Sequence, residues 1–99
     1  MYTPIQSIKV FEQVAVQIEK RILDGELRSG DRLVLFTDGI TECANLEGSE
    51  FGEEQLLRLV SQNVQLGAEE LKELILTSTH EHSGGALADD ATLIVASLL

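Results

Sequence analysis

This chain predicts an α/β fold, a small antiparallel sheet packed with three or more helices, and three observations carry that reading. Two short apolar runs, residues 33–36 and 91–98, have the length and flanking turn residues of buried strands. Between and before them, apolar residues recur at steps of three and four, the helical period. Acidic clusters sit at the tips of both strand-like runs, so antiparallel pairing of the runs would bring carboxylates together.

The elements follow in order. Ile8, Phe11, Val14, Ile18 and Ile22 form one apolar stripe, with Ser7 placed to cap its start and Gly25 to stop it, which predicts an amphipathic helix over 8–24. Leu33, Val34, Leu35 and Phe36, bounded by Gly30-Asp31 and Asp38-Gly39, predict a buried strand. Leu56, Leu57, Leu59 and Val60 place a second helix from near Gly52. Leu71, Leu74 and Ile75 place a third from near Gly67. Glu53-Glu54 and Glu69-Glu70 suit the positive N-termini of these two helices, and His82-Ser83-Gly84-Gly85 ends the third. Residues 91–98 close the chain as a strand. Helix, strand, helices, strand is the order, antiparallel if sequence neighbours pair.

Composition narrows the function classes. Ninety-nine residues make one domain, and 43% hydrophobic with 24% charged residues is ordinary for a globular protein. A net charge of −10 repels a phosphate backbone, so nucleic acid is excluded as a partner. The single cysteine, Cys43, has no internal disulfide partner and reads as a small core or half-buried residue. No apolar run has the length of a membrane span or a signal segment, so the expectation is a cytoplasmic protein with no membrane partner. The charge is uneven: residues 1–29 carry four basic and four acidic groups, residues 30–99 three and thirteen. That break divides the chain into segments 1–29 and 30–99 within one compact folded unit.

Chemistry concentrates in Phe36-Thr37-Asp38-Gly39-Ile40-Thr41-Glu42 and Asp89-Asp90-Ala91-Thr92-Leu93-Ile94-Val95. Carboxylates gathered from two strand tips either hold a divalent cation or repel each other, and oxygen ligands suit magnesium and manganese. His80 and His82, two apart at a polar helix end, point to different sides and read as a solvated pair rather than as ligands.

Residues 30–99 resemble the C-terminal half of a SpoIIE-type serine phosphatase domain of the metal-dependent PPM class. The resemblance rests on Gly30 to Glu42 as a block, on Phe51-Gly52-Glu53-Glu54-Gln55-Leu56-Leu57, and on Asp89 to Val95. It implies an incomplete PPM-like layered fold, with Asp38 and Asp89 as metal ligands assisted by Asp90 and Gly39, and manganese or magnesium weakly bound. The resemblance also implies further acidic ligands from a first half, in an Asp-Gly element and an Asp-x-x-Gly-His element, and neither occurs in residues 1–29. The chain alone is therefore expected to be inactive, with a phosphoprotein substrate only if activity is retained.

Residues 1–33 resemble the first helix and turn of a GntR-type winged-helix regulator, and the string Leu-x-x-Gly-Asp-Arg-Leu at 27–33 is common to both resemblances. The implied organisation is a chimera joined at that string. An inert associating chimera and a GntR-type regulator fragment are the alternatives to a phosphatase-derived fragment. A sheet face that a missing half once covered would leave apolar groups in water, so a homodimer is expected, with helix 8–24 covering part of that face and a second copy the rest.

Overall fold

The computed structural model describes residues 4–9, 24–85 and 91–98. Strands β1 (Ile5–Lys9), β2 (Arg32–Phe36) and β3 (Leu93–Ser97) form one sheet in the order β1-β2-β3. Among the described residues three helices accompany it: α1 (Asp38–Thr41), α2 (Glu53–Ser61) and α3 (Ala68–Ser83). Among the described residues no helix is long and apolar enough to cross a membrane.

The sheet is mixed, which corrects the antiparallel expectation. β2 and β3 do pair antiparallel, from Arg32↔Ser97 to Phe36↔Leu93. β1 and β2 pair parallel, from Ile5↔Arg32 to Lys9↔Phe36, and the ladder extends through Arg32 N–H to the Pro4 carbonyl at 3.0 Å. The expected helix over 8–24 does not begin where predicted: Ile8 is in β1, and Ser7 sits mid-strand opposite Val34 rather than at a cap. Phe11, Val14, Ile18 and Ile22 lie outside the described residues. The misreading has a physical source. Ile8 stands three positions before Phe11 in the sequence, a helical step, but Ile8 belongs to a strand, where it and Ile5, three apart, face opposite sides. Both faces here are apolar: Ile5 joins the main core and Ile8 packs with Leu27 and Leu33.

The main core lies on the Val34 and Phe36 face of β2, where Ile40, Cys43, Phe51, Leu56, Val60, Leu71 and Ile75 converge. Each helix presents one row to it. Leu56 and Val60 are the buried residues of α2; Leu71, Ile75, Thr79 and Ser83 are those of α3, spaced by four. Thr79 is admitted to the core because its hydroxyl donates to the Ile75 carbonyl at 3.0 Å, leaving no hydroxyl proton unpaired. The helix ends follow the sequence closely. Gly52 and Gly67 precede α2 and α3, and Gly84 closes α3 at φ 70°, with Gly85 N–H reaching the His80 carbonyl at 2.9 Å, the six-to-one bond of a Schellman end.

The turn into β2 is built locally. The Asp31 carboxylate accepts from Arg28 N–H at 2.9 Å, Asp31 N–H donates back to the Arg28 carbonyl at 3.0 Å, and Gly30 takes φ 91°, a left-handed value that a side chain would strain. Gly30 N–H also donates to the Leu98 carbonyl at 2.8 Å.

Val34, Leu71 and Ile75 are each 0% exposed. Ile75→Ala should therefore cost about 2–5 kcal/mol by leaving a cavity in a packed core, a large share of the stability of a domain this size. Urea unfolding will check it. Leu76→Ala, on the outer side of the same helix, should cost well under half as much.

Candidate functional site

The tip of β2 is where the first acidic cluster begins, and its geometry is set by two threonines. Thr37 N–H donates to the Thr92 carbonyl at 3.1 Å, and Thr92 N–H donates to the Thr37 hydroxyl at 2.9 Å. The backbone pairing of β2 with β3 is thus carried one step past both strands and ended by a side chain. Thr37 is also the N-cap position of α1, at φ −104° and ψ 170°, but its hydroxyl makes no capping bond there. The hydroxyl is committed to Thr92 instead.

Helix α1 starts directly at this clamp. Asp38 occupies its first turn, where a carboxylate meets partial positive charge, and is exposed. Ile40 and Thr41 are buried and anchor the turn from below, while Glu42 N–H donates to the Asp38 carbonyl at 2.7 Å. An exposed acid on a pinned turn is the result. Gly39, beside it, is half-buried.

Of the four residues singled out for metal binding, the structure therefore places Asp38 and Gly39 at this tip. Asp89 and Asp90 lie outside the described residues. Thr92, two positions after Asp90, is bonded to Thr37, one position before Asp38. Among the described residues no group of three His, Cys, Asp or Glu gathers that could hold a metal. The described residues by themselves therefore do not make up a manganese or magnesium site.

Behind the tip, a second set of bonds fixes the segment from α1 to α2. Gly52 N–H donates to the Thr41 carbonyl at 2.7 Å and Phe51 N–H to the Cys43 carbonyl at 2.9 Å. The Asn45 side-chain oxygen accepts from Glu47 N–H at 3.1 Å and Ser49 N–H at 2.9 Å, closing the loop. His82 reaches across from α3: its Nε2 lies 2.8 Å from the Ser49 carbonyl, and its ring meets Phe51 edge-on at 5.6 Å. A carbonyl only accepts, so Nε2 carries the proton. The solvated histidine pair predicted from sequence holds only for His80, which is exposed; His82 is half-buried and braces the loop.

Sequence reasoning missed Thr37 and Thr92 as the residues that join the two clusters. Each stands beside an acidic cluster at a strand end, and a hydroxyl at that position can replace a backbone acceptor as a ladder runs out. Glu53-Glu54 and Glu69-Glu70 fall in the first turns of α2 and α3, as expected, and Glu69 also pairs with Lys72 at 3.0 Å.

Two outcomes are expected here. Thr37→Val removes the acceptor of Thr92 N–H at a partly exposed site, so stability should fall by roughly 0.5–1.5 kcal/mol and the Thr92 amide should exchange faster with deuterium. An unchanged exchange rate would contradict the clamp. Cys43 is 2% exposed, and burial pushes its thiol pKa up, with hydrogen bonds from the backbone of Phe51 and of Cys43 itself only partly opposing. A thiol raised in this way stays neutral at pH 7, and so should resist labelling by a disulfide reagent until denaturant opens the core. Rapid labelling of the folded chain would contradict it.

Comparison with known proteins gives the family. Residues 17–99 match the family described as Stage II sporulation protein E (SpoIIE). The phosphoserine phosphatase RsbU of Bacillus subtilis (strain 168) is 36% identical over 72 residues, which is 73% of this chain and 21% of that protein. The chain thus spans about a fifth of the length of that relative. No solved structure matches. The comparisons support neither a GntR-type segment nor a junction at 27–33; the family match begins at residue 17, inside the segment that resembled a GntR helix. The shared string at 27–33 is explained locally, since Leu27 packs on Ile8 and Leu33, and Arg28, Gly30 and Asp31 build the turn into β2. With its match covering most of the chain, this protein belongs to the SpoIIE family.

Proposed function

We propose that the chain is the C-terminal part of a metal-dependent phosphoserine/phosphothreonine phosphatase module of the PPM class, in which Asp38 and Asp89, with Asp90 and Gly39 beside them, contribute part of a manganese or magnesium site. The observation that carries this reading is the Thr37–Thr92 clamp, which supports bringing the Asp38 turn and the segment following Asp89-Asp90 to one end of the sheet. Family membership supplies the reaction class, since the RsbU relative is by name a phosphoserine phosphatase.

In this reading the chain's own contribution is placement. Asp38 is carried by a turn whose neighbours Ile40 and Thr41 are buried, so the backbone that bears its carboxylate is in place before any ligand arrives. A bound ion in such chemistry supplies neutralisation of phosphoryl charge and a water of lowered pKa. A complete set of ligands needs carboxylates beyond those at this tip, because magnesium demands near-octahedral oxygen coordination. The chain alone is accordingly inactive, and a phosphoprotein is its substrate only within a complete module.

Two measurements test this. Millimolar manganese should raise the melting temperature of the folded chain by mass action, and Asp38→Asn should reduce that rise. The absence of any shift with manganese or magnesium would contradict a retained half-site. Hydrolysis of p-nitrophenyl phosphate should stay at background with manganese present. Manganese-dependent turnover abolished by Asp89→Ala would overturn the claim that this chain is inactive alone.

A further inference from the structure

Helix α1, which carries Asp38, is a single turn of four residues, closed by the bond from Glu42 N–H to the Asp38 carbonyl. A lone turn does not persist by itself, because fixing its backbone costs more than its hydrogen bond returns. Its position comes from what holds its two ends. The Thr37 and Thr92 bonds hold the first end. The second end runs into a narrow hairpin, in which Gly52 N–H donates to the Thr41 carbonyl, Phe51 N–H to the Cys43 carbonyl and Asn45 N–H to the Ser49 carbonyl, and Ala44 bridges Glu50. These bonds all lie within residues 41–52, so they fix the two limbs to each other and not to the rest of the fold.

Burial of Cys43 and Phe51 anchors the base of the hairpin, whereas Ser49 and Glu50 on the returning limb are exposed. A polar tie from another element reaches that limb at Ser49. Its carbonyl accepts from Asn45 N–H at 3.0 Å and from His82 Nε2 at 2.8 Å, which uses both lone pairs. His82 is itself well held, since it stands in the last turn of α3 between Thr79 and Ser83, both buried.

We propose that His82 is a positioning residue for Asp38: through the Ser49 carbonyl, helix α3 fixes the limb on which the far end of the Asp38 turn rests. The hydrogen bond, not the ring, is the tie. The ring meets Phe51 edge-on at 5.6 Å, but Phe51 is only 3% exposed and is held by the main core without it. The exposed limb at Ser49 has no such packing. That Asp38 serves a metal rests on the phosphatase reading above; the tie between His82 and the Asp38 turn does not.

Amide hydrogen exchange of the 99-residue chain, followed by nuclear magnetic resonance, tests it. His82→Phe keeps a ring beside Phe51 and lacks the N–H, whereas His82→Gln lacks the ring and keeps an N–H as many bonds from the backbone as Nε2. In H82F the Glu42 and Gly52 amides, which report the Asp38 turn and its support, should exchange at least about threefold faster. In H82Q they should stay near wild type. The Leu66 amide, bonded to the Asn63 carbonyl in the turn between α2 and α3, should keep its rate in both. Circular dichroism checks that each variant keeps its helices, and His82→Leu takes the place of an H82F that does not fold. A Glu42 amide unchanged in H82F overturns the inference. So does an H82Q that exchanges as fast as H82F, or a Leu66 amide accelerated as much as Glu42, which marks general loosening. Absence of the manganese-dependent melting shift alongside the expected exchange pattern would remove the metal role of Asp38 and leave the tie standing.

Discussion

Strand β2 is the constraint on which the other elements depend. It is hydrogen-bonded on both sides, parallel to β1 and antiparallel to β3, and its side chains are buried toward both faces. A strand in that position has no solvent face, so its interior tolerates only residues such as Leu33, Val34 and Phe36. Its one charged residue, Arg32, stands at the end, where the guanidinium bonds the Val64 and Gly30 carbonyls. The bond to Val64 ties the start of β2 to the turn between α2 and α3, so the central strand and the helical layer are fixed to each other at that end.

At its other end β2 determines where the acidic chemistry lies. The antiparallel ladder with β3 ends in the Thr37 and Thr92 bonds, and α1 begins at once, so the backbone of Asp38 is tied to the end of the ladder. The braces behind it work in series. Buried Ile40 and Thr41 hold α1, Cys43 and Phe51 hold the loop that follows, and His82 from α3 holds that loop at Ser49. Polar groups in this series are paired rather than dry, which is what lets a loop pack this closely on a core.

The sequence made the later half of the fold readable and the first part not, for reasons visible in particular residues. β2, α2, α3 and β3 are each a strong local pattern with its own stop signals: Gly30-Asp31 before β2, Gly52 and Gly67 before the helices, Gly84 after α3. Periodicity decides such elements because local preference and burial agree. β1 has no such agreement. Ile5-Gln6-Ser7-Ile8-Lys9 alternates with neither period, since Ile5 serves one core and Ile8 the other, and parallel pairing with β2 comes from contacts distant in the chain. Asp38 was legible as a candidate because an acid and a glycine follow an apolar run. Thr37 was not, since its role depends on Thr92 fifty-five positions away. His82 was misread for the same reason, because its partner, the Ser49 carbonyl, is set by how α3 lies against the loop.

The account stands or falls with the register of β2 on β3, because a slip of one residue would turn every side chain of β3 to the other face and move Thr92 away from Thr37. Since Thr37 and Thr92 form a hydrogen-bonded position, the alternation of an antiparallel ladder makes Val34 with Val95, and Phe36 with Leu93, the close non-hydrogen-bonded pairs. A nuclear Overhauser spectrum of the chain in solution measures this directly. The account predicts strong Hα–Hα cross-peaks between Val34 and Val95 and between Phe36 and Leu93. Cross-peaks displaced by a residue, such as Val34 with Ile94, or none between these strands in a folded sample, would contradict it.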